Sequence, residues 1–283
     1  MSDHTVVVHG ATGTQGAAIV RSLRAAGRPV RAVARRPRPS GDPGVEPFAA
    51  DLLDLDALCA AYTGAAAVVV QLPLDFAADG VRQAATVLAA LAKAGVPRAV
   101  FNTGGGIPPA EPIGVPFVDA RVRLAAGLPG AVPLASVVGP ASTYLENLSA
   151  DWSRAIVHEQ GELRYPLPEH LPNPWLAADD LGAAVAELLT TPAATRIVAG
   201  PSAMTGPEVA AGIEAATGRR VRWQTISPSE YARMLAPHLG EAAAAGIAAA
   251  YEHPAPPPDP ALVVAGPTTV RAWAAGQDWT AGR

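Results

Sequence analysis

Residues 6–16 read Val6-Val-Val-His-Gly10-Ala-Thr-Gly13-Thr-Gln-Gly16, and they are the strongest indication of the fold class in this sequence. A short β-branched run that ends in a glycine-rich turn and leads into a helical pattern predicts a strand, a tight turn and a helix N-terminus. Such a helix end presents unpaired backbone N–H groups and the positive end of the helix dipole to an anion. The sequence therefore predicts a phosphate-binding turn near the start of the chain.

The three glycines of this turn have different predicted roles. Gly10 permits the tight turn, Gly13 lets the backbone approach phosphate without a Cβ in between, and Gly16 lets the helix pack closely on the strand. The spacing is Gly-x-x-Gly-x-x-Gly rather than Gly-x-Gly-x-x-Gly, and a purely structural turn is the alternative interpretation. Because the motif follows the first strand of an N-terminal βαβ unit, dinucleotide binding is favoured.

The end of the second predicted strand, Val30–Ala34, indicates which dinucleotide binds. Arg35 and Arg36 follow it, at the point where NAD sites carry an acid that hydrogen-bonds the ribose 2′-hydroxyl. Two guanidinium groups favour the 2′-phosphate of NADP(H), with two solvated loop arginines as the plainer alternative. After the third strand, Asp51 and the backbone at Leu52 are expected beside the adenine ring. The alternative role of Asp51 is to cap the next helix.

The pattern of predicted strands and helices changes near residue 140. Up to residue 140, β-branched runs alternate with Ala/Leu-rich segments of helical period, which predicts a doubly wound, parallel α/β domain of the Rossmann type that binds NADP(H). Residues 141–283 have longer helices and Pro-containing connections, so they are predicted to form mostly a smaller α+β substrate-binding region. A strand near residues 195–200 is expected to return to the main sheet.

The predicted elements follow from apolar periodicity and from Gly, Pro and capping signals. The predicted strands are Thr5–His9, Val30–Ala34, Val45–Phe48, Ala66–Gln71, Ala99–Thr103, Val132–Val138, Thr195–Ala199 and Val221–Ile226. The predicted helices are Gln15–Ala26, Leu55–Tyr62, Val81–Ala94, Phe117–Ala126, Leu181–Leu189, Pro228–Leu235 and Glu241–Tyr251, with a last helix capped near Thr268 or Thr269. Asp179 and Asp180 are expected to precede their helix as N-cap and first-turn acids.

Composition and charge exclude several function classes. The 283 residues are 49% apolar and carry a formal net charge of -4, so the basic excess that nucleic-acid binding needs is missing. No run of about 18 apolar residues occurs, so no membrane span is predicted. Met1 to His4 lead directly into a strand-like run, so no secretory signal is predicted and the expected location is the cytoplasm.

Cysteine and histidine usage disfavours a metal site. Cys59 is the only cysteine, which excludes an internal disulfide and a cysteine-based metal site and fits a reducing compartment. The six histidines show no metal-ligand spacing and are expected to be surface or core residues. The alanine-rich helices are compatible with a homodimer, but nothing in the sequence requires one.

Several motifs together resemble the NmrA-like branch of the atypical short-chain dehydrogenase/reductase family, which includes quinone reductases, triphenylmethane reductase and catalytically silent redox sensors. The resemblance covers most of the chain. Its motifs are the glycine turn at 10–16, Arg35-Arg36-Pro37, Ala50-Asp51-Leu52, Asn102-Thr103-Gly104, Gly139-Pro140, Tyr144-Leu-Glu-Asn147-Leu, Pro174-Trp-Leu-Ala-Ala-Asp-Asp180 and Pro267-Thr-Thr-Val-Arg-Ala-Trp273.

The resemblance implies a role for each group of site residues. It implies that the pyrophosphate lies on Thr12, Gly13, Thr14 and Gln15, the 2′-phosphate on Arg35 and Arg36, and the nicotinamide ribose on Gln71, Leu72, Pro73 and Thr103. It also implies that Pro140, Tyr144 and Asn147 border the nicotinamide and the substrate.

The chain departs from the family at its proton-transfer residues. Short-chain dehydrogenases commonly use a Tyr-x-x-x-Lys pair, in which the lysine lowers the pKa of the tyrosine. The one lysine among the 21 basic residues is Lys93, and the position four residues before it is Ala89, so this pair is excluded. The family's helix lysine corresponds to Arg121, which can stabilise negative charge but cannot act as an acid or a base. Gly139 replaces the family's arginine.

The remaining candidate proton donors or orienting groups are Tyr144 and Thr103, and the alternative for Tyr144 is a pocket-lining ring. Without the tyrosine/lysine pair, an acceptor that delocalises negative charge is favoured. The sequence therefore predicts an NADPH-dependent oxidoreductase for a quinone-like or polycyclic aromatic or ketone molecule, with the GC-rich composition suggesting bacterial secondary metabolism. The alternatives are a non-catalytic NADP(H) sensor that binds a regulatory partner and a polyketide tailoring step such as phenolic coupling.

Overall fold

The computed structural model describes residues 4–74, 76 and 79–280. Its strands are β1 (Val6–His9), β2 (Val30–Ala34), β3 (Val45–Ala49), β4 (Ala67–Gln71), β5 (Arg98–Asn102), β6 (Leu134–Pro140), β7 (Glu162–Tyr165), β8 (Thr195–Ala199), β9 (Arg222–Thr225) and β10 (Val263–Ala265). Its α-helices are α1 (Thr14–Ala25), α2 (Leu55–Tyr62), α3 (Asp79–Lys93), α4 (Pro116–Ala131), α5 (Asp151–Gln160), α6 (Ala178–Leu188), α7 (Gly206–Thr217), α8 (Pro228–Leu239), α9 (Glu241–Glu252) and α10 (Val270–Ala275). Met1 to Asp3, which enter the signal-peptide prediction, lie outside the described residues.

Eight strands form the main sheet in the order β10-β8-β6-β5-β4-β1-β2-β3. The pairs from β3 to β6 are parallel, with Val8 opposite Ala32 on one side and Val69 on the other. The chain moves outward from β1 to β3 and then returns to the other side of β1 at β4. In such sheets ligands bind beyond the carboxyl ends of the strands, where the order reverses. This architecture confirms the predicted doubly wound α/β fold and the return of strand Thr195–Ala199 to the main sheet.

The chain divides into two compact units, the first of which comprises the described parts of Met1–Gly139 and Leu181–Ile197. Its central strand β4 is buried on both faces, because its Val68-Val69-Val70 run is fully shielded from solvent. Continuous apolar runs are typical of parallel strands that are covered by helices on both sides. Side chains from α2, α3 and α4, such as Leu58, Leu91 and Leu124, complete this core.

The second unit comprises Pro140–Asp180 and the described part of Val198–Arg283. Its core contains an aromatic cluster whose ring centroids lie 5.1 to 6.0 Å apart, formed by Tyr165, Trp175, Trp223, Tyr231 and Tyr251. Strands β7 and β9 pair in parallel beside it. The Tyr165 hydroxyl lies 2.6 Å from that of Tyr251 and 2.8 Å from Thr143 Oγ1. These three hydroxyl groups are therefore joined by hydrogen bonds. A substrate-binding role for this unit stays a prediction.

Several boundaries differ from the predictions: α8 extends to Leu239 instead of ending at Leu235, β6 is Leu134–Pro140 instead of Val132–Val138, and α4 and α6 also differ. Helix α6 begins at Ala178, so Asp179 and Asp180 lie inside its first turn rather than before it. The carboxylate of Asp180 is buried and accepts hydrogen bonds from the backbone N–H and hydroxyl of Thr268, at 3.0 and 2.6 Å. Helix α4 continues to Ala131 instead of ending at residue 126, although Pro129 inside its last turn has no N–H to donate. The N–H of Val132 still donates to the carbonyl oxygen of Leu128 at 3.1 Å, which completes this last turn.

Candidate cofactor and active site

The turn between β1 and α1 has the conformation that its glycines predict. Gly10 has a φ of +58°, in the left-handed region, and its carbonyl accepts a hydrogen bond from the N–H of Gly13 at 2.9 Å. Gly13 is the N-cap of α1, where no side chain caps the helix and no acid lies in the first turn. Thr12 and Thr14 are exposed beside this helix end. The turn therefore fits a pyrophosphate group.

Gly16 and Gly13 have the separate roles that the sequence predicts for them. A Cβ at Gly16 would lie 2.1 Å from the carbonyl oxygen of Gly10 and 2.9 Å from Cα of Ala11, so α1 packs directly against the backbone of the turn. A Cβ at Gly13 would meet its nearest atom, the same carbonyl oxygen, at 3.4 Å. Gly16 thus serves packing, while Gly13 keeps the face of the turn open to a ligand.

A hydrogen-bond network connects this turn with the carboxyl ends of β4 and β5. Asn102 Nδ2 donates to Gln15 Oε1 at 2.8 Å and to Gln71 Oε1 at 3.0 Å. Gln71 Nε2 in turn donates to the carbonyl oxygen of His9 at 2.6 Å, and Asn102 Oδ1 accepts from the N–H of Gly104. The predicted residues Gln15 and Gln71 are therefore neighbours. Asn102, which joins them, was missed as a site residue; its signal is an amide side chain at the end of a buried strand.

His9 is a buried polar residue directly before the glycine turn. Its Nε2 lies 2.7 Å from the hydroxyl of Tyr62, and the two rings stack with centroids 5.7 Å apart. Its Nδ1 is buried and has no hydrogen-bond partner among the described residues. Burial lowers the pKa of His9 to about 4, so the imidazole is neutral at physiological pH.

Arg35 and Arg36 are exposed directly after β2, and within the described part of the chain neither makes a hydrogen bond or an ion pair. Their guanidinium groups are therefore available to a 2′-phosphate. Asp51 is also exposed, and its Oδ1 accepts from the N–H of Leu53, while Leu52 is half-buried. The carboxylate that caps α2 belongs to Asp54, so the alternative role of Asp51 as this cap is wrong.

Arg121 is a buried cation on α4 that ties three segments together. Its Nε donates to the carbonyl oxygen of Thr103 at 2.8 Å and its Nη1 to that of Phe117 at 2.9 Å. Its Nη2 lies 3.5 and 3.4 Å from the carbonyl oxygens of Leu72 and Pro73. Burial lowers the pKa of Arg121 to about 10, so the group stays charged at neutral pH. This geometry makes Arg121 a positioning residue for the loops after β4 and β5; its action on developing charge stays a prediction.

Thr103, the second candidate proton donor, follows β5 and is buried. Its hydroxyl donates to the carbonyl oxygen of Gly105 at 2.5 Å and lies 3.3 Å from that of Val138. A hydroxyl has one proton to donate, and here the backbone takes it. A proton-donor role for Thr103 therefore requires this hydrogen bond to be exchanged.

Tyr144 and its neighbours lie in the second unit. Tyr144 is only 6% exposed, and its hydroxyl is buried with no hydrogen-bond partner among the described residues. Burial, with a smaller contribution from the charge of Glu146, raises the pKa of the Tyr144 phenol. The phenol therefore keeps its proton at neutral pH and is suited to donating a hydrogen bond. Asn147 Nδ2 donates to Thr143 Oγ1 at 2.9 Å, and Pro140 is buried at the end of β6.

Glu146 fixes the short turn that carries Tyr144. Its Oε1 accepts from the N–H of Ala178 at 3.0 Å and from Trp273 Nε1 at 3.2 Å. These bonds join the turn to the start of α6 and to α10. Burial raises the pKa of Glu146. Glu146 was not among the predicted site residues, and its only sequence signal is an acid inside the Tyr144–Asn147 motif.

The comparison with a protein-family model decides the family. The model described as the NmrA-like family matches residues 2–254. The chain belongs to the NmrA-like family. A curated relative, the NAD(P)H azoreductase of Xenophilus azovorans, is 33% identical over 228 residues, which cover 78% of this NmrA-like chain and 77% of the azoreductase.

Solved structures share the NmrA-like fold at lower identity. Triphenylmethane reductase from Citrobacter sp. with NADP(H) is 21% identical, has a TM-score of 0.67 and matches 87% of this chain and 88% of its own. The NADPH-dependent quinone oxidoreductase of Escherichia coli with NADPH is 20% identical, has a TM-score of 0.67 and matches 95% and 98%. A nucleoside-diphosphate-sugar epimerase from Staphylococcus aureus is 17% identical, has a TM-score of 0.72 and matches 96% and 99%.

Further observations limit the chemistry of this NmrA-like chain. Lys93 lies in the last turn of α3, where its Nζ is 3.2 Å from Asp56, and both side chains are exposed. It is therefore a surface ion-pair partner rather than part of a proton relay. In residues 4–74, 76 and 79–280, no group of three or more His, Cys, Asp or Glu side chains is placed to hold a metal ion. No helix in that part is long and apolar enough to cross a membrane.

Proposed function

We propose that this NmrA-like protein is an NADPH-dependent reductase of flat, conjugated acceptors such as quinones and dyes. The observation that carries the proposal is an open pyrophosphate turn and two unpaired arginines in a chain whose one lysine is a surface residue. A curated relative is named as an NAD(P)H azoreductase, and two proteins of the same fold are named as reductases of quinones and of triphenylmethane dyes. These names support the same acceptor chemistry.

The chain's own residues account for cofactor binding on this proposal. The N–H groups of the first turn of α1, with Thr12, Gly13, Thr14 and Gln15, hold the pyrophosphate. Arg35 and Arg36 bind the 2′-phosphate, and charge-assisted hydrogen bonds of this type are worth about 1.5–3 kcal/mol each when shielded from water. Both arginines are exposed, so a value at the lower end is expected.

The nicotinamide end of the cofactor is assigned to the loops after β4 and β5. Gln71, Leu72, Pro73 and Thr103 border the ribose, while Arg121 holds the backbone of both loops in place through their carbonyl oxygens. Asp51 and Leu52 border the adenine. Pro140, Tyr144 and Asn147 border the nicotinamide and the acceptor, and residues 141–283 supply most of the acceptor site.

NADPH, when bound, supplies a hydride. A quinone that accepts a hydride becomes a hydroquinone anion, which then takes up one proton. The Tyr144 phenol, whose pKa is raised by burial, donates a hydrogen bond to this oxygen without losing its proton readily. The proton therefore comes from water after the charge has spread over the conjugated ring. Reduction of a simple ketone gives an alkoxide with its charge on one oxygen. This reaction requires a proton-donating acid, which the proposed site lacks.

Acceptor turnover tests the proposal directly. NADPH oxidation is measured with benzoquinone, a naphthoquinone, an azo dye, a triphenylmethane dye and an aliphatic ketone. We expect turnover of the conjugated acceptors and none of the ketone. Tight NADPH binding without oxidation by any acceptor would contradict the proposal and favour the sensor alternative. Product analysis with and without NADPH tests the polyketide tailoring step. A role in secondary metabolism, a homodimer and a cytoplasmic location stay predictions.

Cofactor choice is tested by Arg35→Ala and Arg36→Ala. We expect each substitution to weaken NADPH binding about tenfold and to leave NADH binding within about twofold, because only the 2′-phosphate is affected. Arg123→Ala is the matched control. Arg123 is an exposed arginine on α4, and its substitution removes the same charge at a different place. Equal losses for NADPH and NADH would assign the two arginines a merely structural role.

A further inference from the structure

The loops that follow β4 and β5 carry a stacked aromatic pair. The rings of Phe76 and Phe117 lie with centroids 4.7 Å apart and planes within 11° of each other. Both side chains are half-buried. Phe76 follows β4, and Phe117 lies in the first turn of α4, which follows β5. The pair therefore lies at the carboxyl edge of the parallel sheet, which is the ligand-binding edge in this fold class.

Arg121 holds this pair in one position. Its guanidinium carbon lies 3.4 Å from the centroid of the Phe117 ring, so Phe117 contacts both a cation and a second ring. The same guanidinium group reaches the carbonyl oxygen of Pro73, in the loop that leads to Phe76. Asp119 Oδ1 accepts from the N–H of Ile113 at 2.8 Å, which fixes the preceding loop to the same turn of α4.

Exposed apolar side chains occur in the same two loops. Leu74 is 45% exposed, Ile113 is 61% exposed and Val115 is 38% exposed. They are three of the six large apolar side chains that are exposed in the described residues. Exposed apolar side chains in the same two segments as a fixed aromatic pair are typical of a binding site rather than of chance surface composition.

We propose that Phe76, which stacks on Phe117, and Phe117, which Arg121 holds from the other side, form an aromatic wall, and that a planar, polycyclic conjugated acceptor binds on its outer face at Phe76, with Leu74, Ile113 and Val115 as its apolar rim. The wall lies entirely on described residues of the first unit. It favours polycyclic over monocyclic acceptors, because a larger ring system extends beyond the face of one phenyl ring onto the apolar rim. The inference rests on the proposed function for the reaction, whereas the binding that it predicts needs no turnover.

The test measures equilibrium binding to protein that is loaded with NADP⁺, so that no acceptor is reduced. Calorimetry gives the Kd of a tricyclic quinone and of benzoquinone for wild type, Phe76→Leu and Phe117→Leu. Leucine keeps the apolar volume and removes the ring. A stacked aromatic pair corresponds to about a 2- to 12-fold change in affinity. We expect that loss for the tricyclic quinone and less than about a twofold loss for benzoquinone.

Phe48→Leu is the matched control, because Phe48 is a half-buried phenylalanine of the same unit that also faces a guanidinium group, at 5.6 Å from Arg31. The inference would be overturned if Phe48→Leu, Phe76→Leu and Phe117→Leu all bound the tricyclic quinone with the same Kd. It would also be overturned if the wild-type protein did not bind the tricyclic quinone. If Phe117→Leu fails to fold, Phe76→Leu decides, because Phe76 lies outside the helices. Binding without NADPH oxidation would contradict the proposed function alone.

Discussion

His9 gives the first unit a stability that depends on pH. The ring is 1% exposed, and burial lowers its pKa from 6.5 to about 4. The folded unit therefore keeps the ring neutral at pH values where the unfolded chain already binds a proton. The contribution of His9 to stability is constant above pH 6.5, falls as the pH falls from 6.5 to about 4, and changes no further below the folded pKa of His9.

The size of the loss follows from the two pKa values. One pH unit between them corresponds to about 1.4 kcal/mol, so the full loss is about 3 kcal/mol, of which about 2 kcal/mol is lost by pH 5. Hydrogen bonds to arginine lower the pKa values of carboxylates such as Asp42 and Glu162. The stability that these carboxylates contribute to the protein is therefore lost only at lower pH. The interval from about pH 7 to pH 5 therefore isolates the effect of His9 in the first unit.

The assay must distinguish the two units. All five tryptophans, at positions 152, 175, 223, 273 and 279, lie in the second unit, so their fluorescence does not follow the first. The protein is instead equilibrated in urea at pH 7 and at pH 5 and then pulse-labelled with deuterium at one fixed pH. Mass spectrometry of the peptide that contains β1 gives the free energy of unfolding of the first unit.

Two variants make the test decisive. His9→Phe keeps a ring beside Tyr62 but leaves the tyrosine hydroxyl without its partner, which costs about 1–3 kcal/mol at every pH. We expect this variant to lose the pH dependence, while His4→Phe, at an exposed histidine, keeps that of the wild type. A His9→Phe variant that still loses about 2 kcal/mol between pH 7 and pH 5 would refute the reasoning.

The remaining predictions concern the turn, the phenol and the arginine. Gly16→Ala should lower the free energy of unfolding by about 1–3 kcal/mol in urea, because its Cβ meets backbone; Gly13→Ala should instead weaken NADPH binding about tenfold by calorimetry with little loss of stability. Tyr144→Phe removes an unpaired buried hydroxyl, so the melting temperature should rise while kcat with a quinone falls at least about tenfold. Arg121→Lys keeps the charge but cannot reach all four carbonyl oxygens, so urea unfolding should show a loss of about 1–3 kcal/mol.

Local sequence signals predicted the main sheet well. The bounds of β2, β8 and α2 agree with the predicted Val30–Ala34, Thr195–Ala199 and Leu55–Tyr62. Buried parallel strands are short and β-branched, and Gly, Pro or Asp residues mark their ends. The second unit was harder to predict, since α5, α7, β7 and β10 were missed. For α7 a signal was present: Thr205 and Glu208 form a capping box around Pro207.

The site was predictable residue by residue but not as a set of contacts. Gln15 and Asn102 are 87 positions apart in the chain and yet share a hydrogen bond, which no local pattern predicts. The partners of Arg121 are backbone carbonyl oxygens, and these carry no residue-type signal at all. Sequence motifs identify groups that suit a phosphate or a proton, whereas the pairing of amides and carbonyls depends on which strands become neighbours.

Arg121 also explains in physical terms why acceptor choice and proton supply are connected. A buried lysine has a pKa that desolvation lowers further toward neutrality, so it can assist proton transfer. A guanidinium group with a pKa of about 10 stays charged, and its donors are directed at carbonyl oxygens from the loops after β4 and β5. Arg121 therefore holds the two loops in place, whereas a lysine at this position could assist proton transfer. On the proposed function, the acceptor's own conjugation must then carry the charge that arrives with the hydride.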